Sequence, residues 1–61
     1  MTSDDIRRLA DFLAILNDAT TKHGIEVGAY GPADLRIDED TVMQIRWDEE
    51  RGEYLAAPQT A

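Results

Sequence analysis

The stretch from Ser3 to Lys22 constrains this chain most, because no other segment is long enough and apolar enough to found a core. At 100° per residue, Ile6, Leu9, Leu13, Leu16 and Thr20 fall in one narrow stripe, with Phe12 and Ala19 on one shoulder and Ala10 on the other. The far side carries Asp4, Arg7, Asp11, Asp18 and Lys22. Opposite charges stand four residues apart at Asp4/Arg8, Arg7/Asp11 and Asp18/Lys22, the spacing at which helix surface charges are neighbours. Thr2 or Ser3 is placed to cap the first turn, Asp4 and Asp5 suit the positive end of the dipole, and Lys22 suits the negative end. Gly24 then stops the helix.

Beyond Gly24 the period changes from helical to alternating. Ile25, Val27 and Ala29 on one side and Glu26 and Gly28 on the other predict a short strand. Tyr30 to Asp34, containing Gly31 and Pro32, predicts a connection, and Leu35 and Ile37 flanking Arg36 a second strand. Asp38 to Asp40 predicts a tight acidic turn, followed by the best strand, Val42 to Trp47, with Met43, Ile45 and Trp47 toward the helix. Asp48 to Gly52 predicts a turn, and residues 53–56 a last short strand that need not pair; Tyr54 and Leu55 cannot both face inward on it.

The connections are too short for parallel crossovers. The expected fold is therefore α+β: one N-terminal amphipathic helix on a three- to four-stranded antiparallel β-meander, a single domain over residues 1–56 with a frayed tail at 57–61. With strands alternating in direction, the Tyr30 to Asp34 loop, the Asp48 to Gly52 turn and the helix N-terminus are expected at one end. His23, Gly24 and the Asp38 to Asp40 turn are expected at the other.

Sixty-one residues allow one domain, near the size where folding alone becomes marginal without disulfides, metal or a partner. There is no cysteine, which removes disulfides and thiolate metal sites together and fits a reducing cytoplasm. A single histidine leaves little with which to build a structural zinc site. Homo-oligomerisation is then the common remaining way to add buried area. The polar, acidic start from Met1 to Asp5 is unlike a signal peptide, and no stretch has membrane-spanning length. The net charge of −7 opposes direct binding to nucleic-acid phosphates or anionic membranes and permits a basic protein partner. The expectation is a cytoplasmic chain.

Most candidate sites reduce to ordinary structure. Asp38, Glu39 and Asp40, and again Asp48, Glu49 and Glu50, crowd carboxylates, but each lacks the spaced ligands and glycine of a calcium loop. They bracket one six-residue strand and should lie roughly 20 Å apart, too far to share an ion. His23, expected near Asp38 and Asp40, suits a helix-terminal cation, and the lone serine, Ser3, lies at the far end of the helix from it. No catalytic set, metal site or cofactor site emerges, and no enzyme is expected. Gly28, Tyr30, Gly31 and Pro32 lack the phosphate-loop spacing, yet two glycines around an aromatic let backbone approach a ligand or a packing neighbour. They are the candidate ligand-binding residues. Trp47 is expected in the core, at about 3–5 kcal/mol if fully buried.

The last feature is the helix shoulder. Ile15 projects from the main stripe beside Arg8, and with Phe12 and Ala19 it makes a second apolar patch continuous with the first. Phe12, Ile15, Ala19 and Arg8 are the candidate protein-interface residues.

Leu9, Phe12, Leu13 and Leu16, followed by Lys22, His23, Gly24, Ile25, Val27, Gly28 and Gly31, resemble small accessory proteins of actinobacterial phages over residues 9–31, about a third of the chain. Some of those proteins carry cysteines after the strand, where this chain has Ala29, Tyr30 and Pro32, so any thiol or metal role would be lost here. The resemblance implies a phage-encoded accessory protein acting in the host cytoplasm. Together these features predict a small acidic non-enzymatic interaction protein, a homodimer, that binds a protein through the helix shoulder or the sheet. The alternatives are a homo-oligomeric binder of a metabolite or nucleotide and, third, an acidic DNA mimic.

Overall fold

A computed structural model describes residues 2–58. Helix α1 spans Ser3–His23 and begins at Thr2 with a capping box: Thr2 Oγ1 accepts from the Asp5 N–H at 3.1 Å, and the Asp5 carboxylate accepts from the Thr2 N–H at 3.4 Å. Asp4 and Asp5 sit at the positive end of the helix and Lys22 and His23 at the negative end. The helix ends on Gly24, whose φ of 68° is left-handed and whose N–H donates to the Thr20 carbonyl at 2.8 Å. On the surface, Asp4–Arg7, Asp5–Arg8 and Asp18–Lys22 pair at 3.1 Å each. The arginines find their partners three residues away rather than four.

The helix packs on a three-stranded antiparallel sheet of order β1-β2-β3, with β1 at Ala33–Asp38, β2 at Thr41–Asp48 and β3 at Glu53–Pro58. This is the expected α+β fold, with three strands. β2 is central, Leu35 opposing Met43 across one junction and Tyr54 opposing Trp47 across the other. The register slips between Arg36 and Asp38, leaving Ile37 as a bulge at the end of β1. β3 runs through Ala57 and Pro58, two residues past the expected domain end; the rest of the predicted tail, 59–61, lies outside the described residues.

Residues 25–29, read from their alternation as a strand, instead form a bent loop. Ile25 is 69% exposed and Val27 37%, so the alternation has no buried face behind it. Losing that strand changes the parity of the meander and exchanges its ends. Arg8 reaches the carbonyl of Ile37 at the close of β1, while Thr20 and Asn17 reach Tyr54 at the start of β3. The helix N-terminus therefore lies toward the Asp38–Asp40 turn. His23 lies toward the Asp48–Gly52 turn, opposite to the expected arrangement and away from Asp38 and Asp40.

The core is small. Met43, Ile45 and Tyr54 are the buried apolar side chains among the described residues, joined by Thr20 from the helix. Leu9, Leu13 and Leu16 are half-buried as the stripe predicts, whereas Ile6 is 54% exposed because it lies near the helix end, beyond good cover. Trp47, expected in the core, is half-buried and stacks edge-on against Tyr54 with ring centroids 5.0 Å apart.

Candidate protein-interaction surface

Tyr54 decides where the helix sits. Its N–H donates to Asn17 Oδ1 at 2.8 Å, its hydroxyl lies 2.8 Å from Thr20 Oγ1, and the same hydroxyl accepts from the Val27 N–H at 2.8 Å. One residue thus binds the helix at two points and the following loop at a third. Burying a phenol costs little when its oxygen is satisfied in this way. The helix is drawn toward β3 in consequence, and its opposite flank stands away from β1.

That flank holds an open groove of about 220 Å³ lined by Arg8, Leu9, Phe12, Leu35, Arg36 and Ile37. Its floor and walls are mainly apolar because β1 alternates, turning Ala33, Leu35 and Ile37 inward and Asp34, Arg36 and Asp38 outward. Phe12, 47% exposed, forms the helix-side wall, and Ile15, 70% exposed, continues the apolar surface up the helix. Ala19 lies half-buried farther along, in a second apolar recess with Leu16, Thr20, His23, Ile25 and Val27. Arg8 borders the first groove, its guanidinium donating to Asp5 and to the Ile37 carbonyl. Of the shoulder residues, Arg8 and Phe12 thus line the first groove and Ala19 the second recess, and the first groove has two walls the sequence reading did not include, Leu35 and Ile37. Their alternation signalled that they face the helix; that the helix leaves them half uncovered was not readable.

The glycine-rich loop is fixed by one close backbone approach. A Cβ on Gly28 would stand 2.8 Å from the Ile45 carbonyl oxygen and 3.1 Å from the Arg46 Cα, and its φ is 73°. The close approach is therefore to the backbone of β2 just past the start of β1, and not to the helix N-terminus. Tyr30 is fully exposed, and a side chain added at Gly31 would meet open space. Gly28 is occupied by packing, and Tyr30, Gly31 and Pro32 do not close around anything.

The two acidic turns lie at opposite ends of β2, and among the described residues no group of three or more His, Cys, Asp or Glu is disposed to hold a metal ion. Their carboxylates serve the turns: Asp38 Oδ1 accepts from the Asp40 N–H at 2.9 Å, and Asp48 Oδ1 accepts from the Glu50 N–H at 3.0 Å and the Arg51 N–H at 3.3 Å. The Asp40 N–H holds the Asp38 carboxyl below its usual range. Among the described residues no helix is long and apolar enough to cross a membrane. No protein-family model, curated protein or solved structure matches the chain.

Proposed function

We propose that this chain is a small acidic, non-enzymatic interaction protein that binds a protein through the flank formed by Phe12, Ile15, Ala19 and the Leu9/Phe12/Leu35/Ile37 groove. The observation that carries this is the imbalance between core and surface. Among the described residues three apolar side chains are buried, while Phe12 and Ile15 stand exposed beside an open, mainly apolar groove. A domain this small has little stability to spare, and covering that flank is the economical way to add buried area. The net charge of −7 permits a partner surface with basic groups around an apolar centre. Encoding by a phage and action in the host cytoplasm rest on the resemblance carried by residues 9–31.

The test compares the parent chain with Ile15→Asp, a substitution at an exposed site that should leave the fold intact. Sedimentation equilibrium and affinity capture from a bacterial lysate should both show an association that the aspartate abolishes. A parent that stays monomeric at millimolar concentration and captures nothing sensitive to Ile15→Asp would sink the proposal.

A further inference from the structure

The two edges of the sheet differ in how much of each is open to another strand. On β3 the Tyr54 N–H, turned away from β2, is already taken by Asn17, and Pro58 at the strand end has no N–H to give. On β1 the described structure places no strand beyond the outer edge, and the helix reaches only its last stretch, where Arg8 meets the Ile37 carbonyl. The apolar groove opens along this same edge, so an added strand would lie beside Leu35 and beneath Phe12.

The residues of β1 say which strand fits. Two copies of one chain that extend an antiparallel sheet across a twofold axis must pair residues facing the same side, so the axis passes opposite a single residue. Centred on Leu35, the pairing sets Asp34 of one copy opposite Arg36 of the other, twice, with Leu35 opposite Leu35 and Ala33 opposite Ile37. Moving the centre to Arg36 opposes Arg36 to Arg36 and Asp34 to Asp38; moving it to Asp34 opposes two aspartates. Of the three registers centred on the middle of the strand, at residues 34, 35 and 36, the Leu35-centred one alone is free of like-charge opposition. Asp34 and Arg36 are both exposed, and among the described residues neither has an ion-pair partner within its own chain.

We propose that the partner on this flank is a second copy of the chain, joined β1 to β1 in antiparallel register about Leu35, forming a six-stranded sheet with both helices on one face. This deepens, and rests on, the interaction surface proposed above. The two grooves then lie side by side over the paired Leu35 side chains, and the Phe12 and Ile15 shoulders face each other across the axis. The bulge at Ile37 and Pro32 just before β1 confine the pairing to the short central stretch, which closes the assembly at two copies.

Charge exchange between variants tests it. Arg36→Asp alone and Asp34→Arg alone each place like charges opposite one another at both symmetric positions. Each should raise the dimer dissociation constant at least tenfold in sedimentation equilibrium. An equimolar mixture of the two single variants restores both opposite pairs and should form a heterodimer, and the double exchange Asp34→Arg with Arg36→Asp should recover the homodimer. Circular dichroism checks that each variant folds; if one single variant does not, the other single variant, read beside the double exchange, decides. A parent dimer weakened by Ile15→Asp but untouched by Arg36→Asp overturns the edge pairing and leaves the shoulder as the interface. A monomeric parent that still captures another protein through Ile15 does the same. A monomeric parent that captures nothing overturns both.

Discussion

Along one flank of the helix, Asn17 and Thr20 reach down to Tyr54, no buried side-chain polar atom among the described residues lacks a partner, and the Tyr54 N–H on the strand edge is taken. Along the other flank, Leu9 and Phe12 stand over Leu35 and Ile37 with space between them, and only Arg8 crosses to the strand. The same helix makes both. The difference shows how a chain with few apolar residues distributes them: it completes one flank with a hydrogen-bonded aromatic anchor and leaves the other open. On this comparison the β3 flank should govern folding and the β1 flank association.

The largest expected effect is on the anchored flank. Tyr54→Ala removes a buried ring and strands the polar groups of Thr20 and Val27 together, and should cost about 3–5 kcal/mol in urea unfolding, enough to unfold much of so small a domain. Tyr54→Phe keeps the ring and its edge-on contact with Trp47 but drops the shared hydroxyl, and about 1–3 kcal/mol is expected from the unpaired Val27 N–H and Thr20 hydroxyl. If the two variants unfolded alike, the hydrogen bonds and not the ring would be what fixes the helix over β3.

Gly28→Ala comes next. A left-handed φ and a Cβ facing the Ile45 carbonyl should together cost about 1–3 kcal/mol, read as a lower melting temperature without change in any ligand response. On the open flank, Phe12→Ala should cost the isolated monomer about 1 kcal/mol or less, since half of its surface is already in water, while weakening association clearly. A loss in dilute solution as large as that of Tyr54→Ala would break the comparison, because the open flank would then be core.

The smallest effect belongs to the Asp38 turn. Its carboxyl is held below the usual carboxylate value by the Asp40 N–H, so its contribution is fully present above about pH 4 and is lost as pH falls through the lowered value. Asp38→Asn keeps an acceptor oxygen and should flatten that part of the acid limb of a stability profile while leaving neutral-pH stability nearly unchanged. A steeper acid limb in the asparagine variant would contradict the hydrogen bond.

The limits of reading by pattern are clearest at two residues. Ile25 and Val27 alternate with polar neighbours as convincingly as Leu35 and Ile37 do, but the first pair ends in a loop and the second in a strand. Alternation reports a possible buried face, and whether a partner strand arrives to use it depends on residues far along the chain. That one lost strand also reversed which turn lies near the helix N-terminus, since each strand in a meander inverts the direction of the next. Tyr54 was ambiguous against Leu55 for the same reason: either could face inward until the register opposite Trp47 was known.

The helix, its capping residues, its glycine stop, the acidic turns and the strand at the centre of the sheet were all legible in the linear chain, because each depends on spacing and chemistry within a few residues. So was the exposure of Phe12 and Ile15 on the helix shoulder. The lean of the helix toward β3 was not legible, because it comes from hydrogen bonds between residues 34 and 37 positions apart. That lean leaves the groove open beside β1. It joins the shoulder to Leu35 and Ile37, and long-range contacts of this kind carry no periodic signature in the residues that make them.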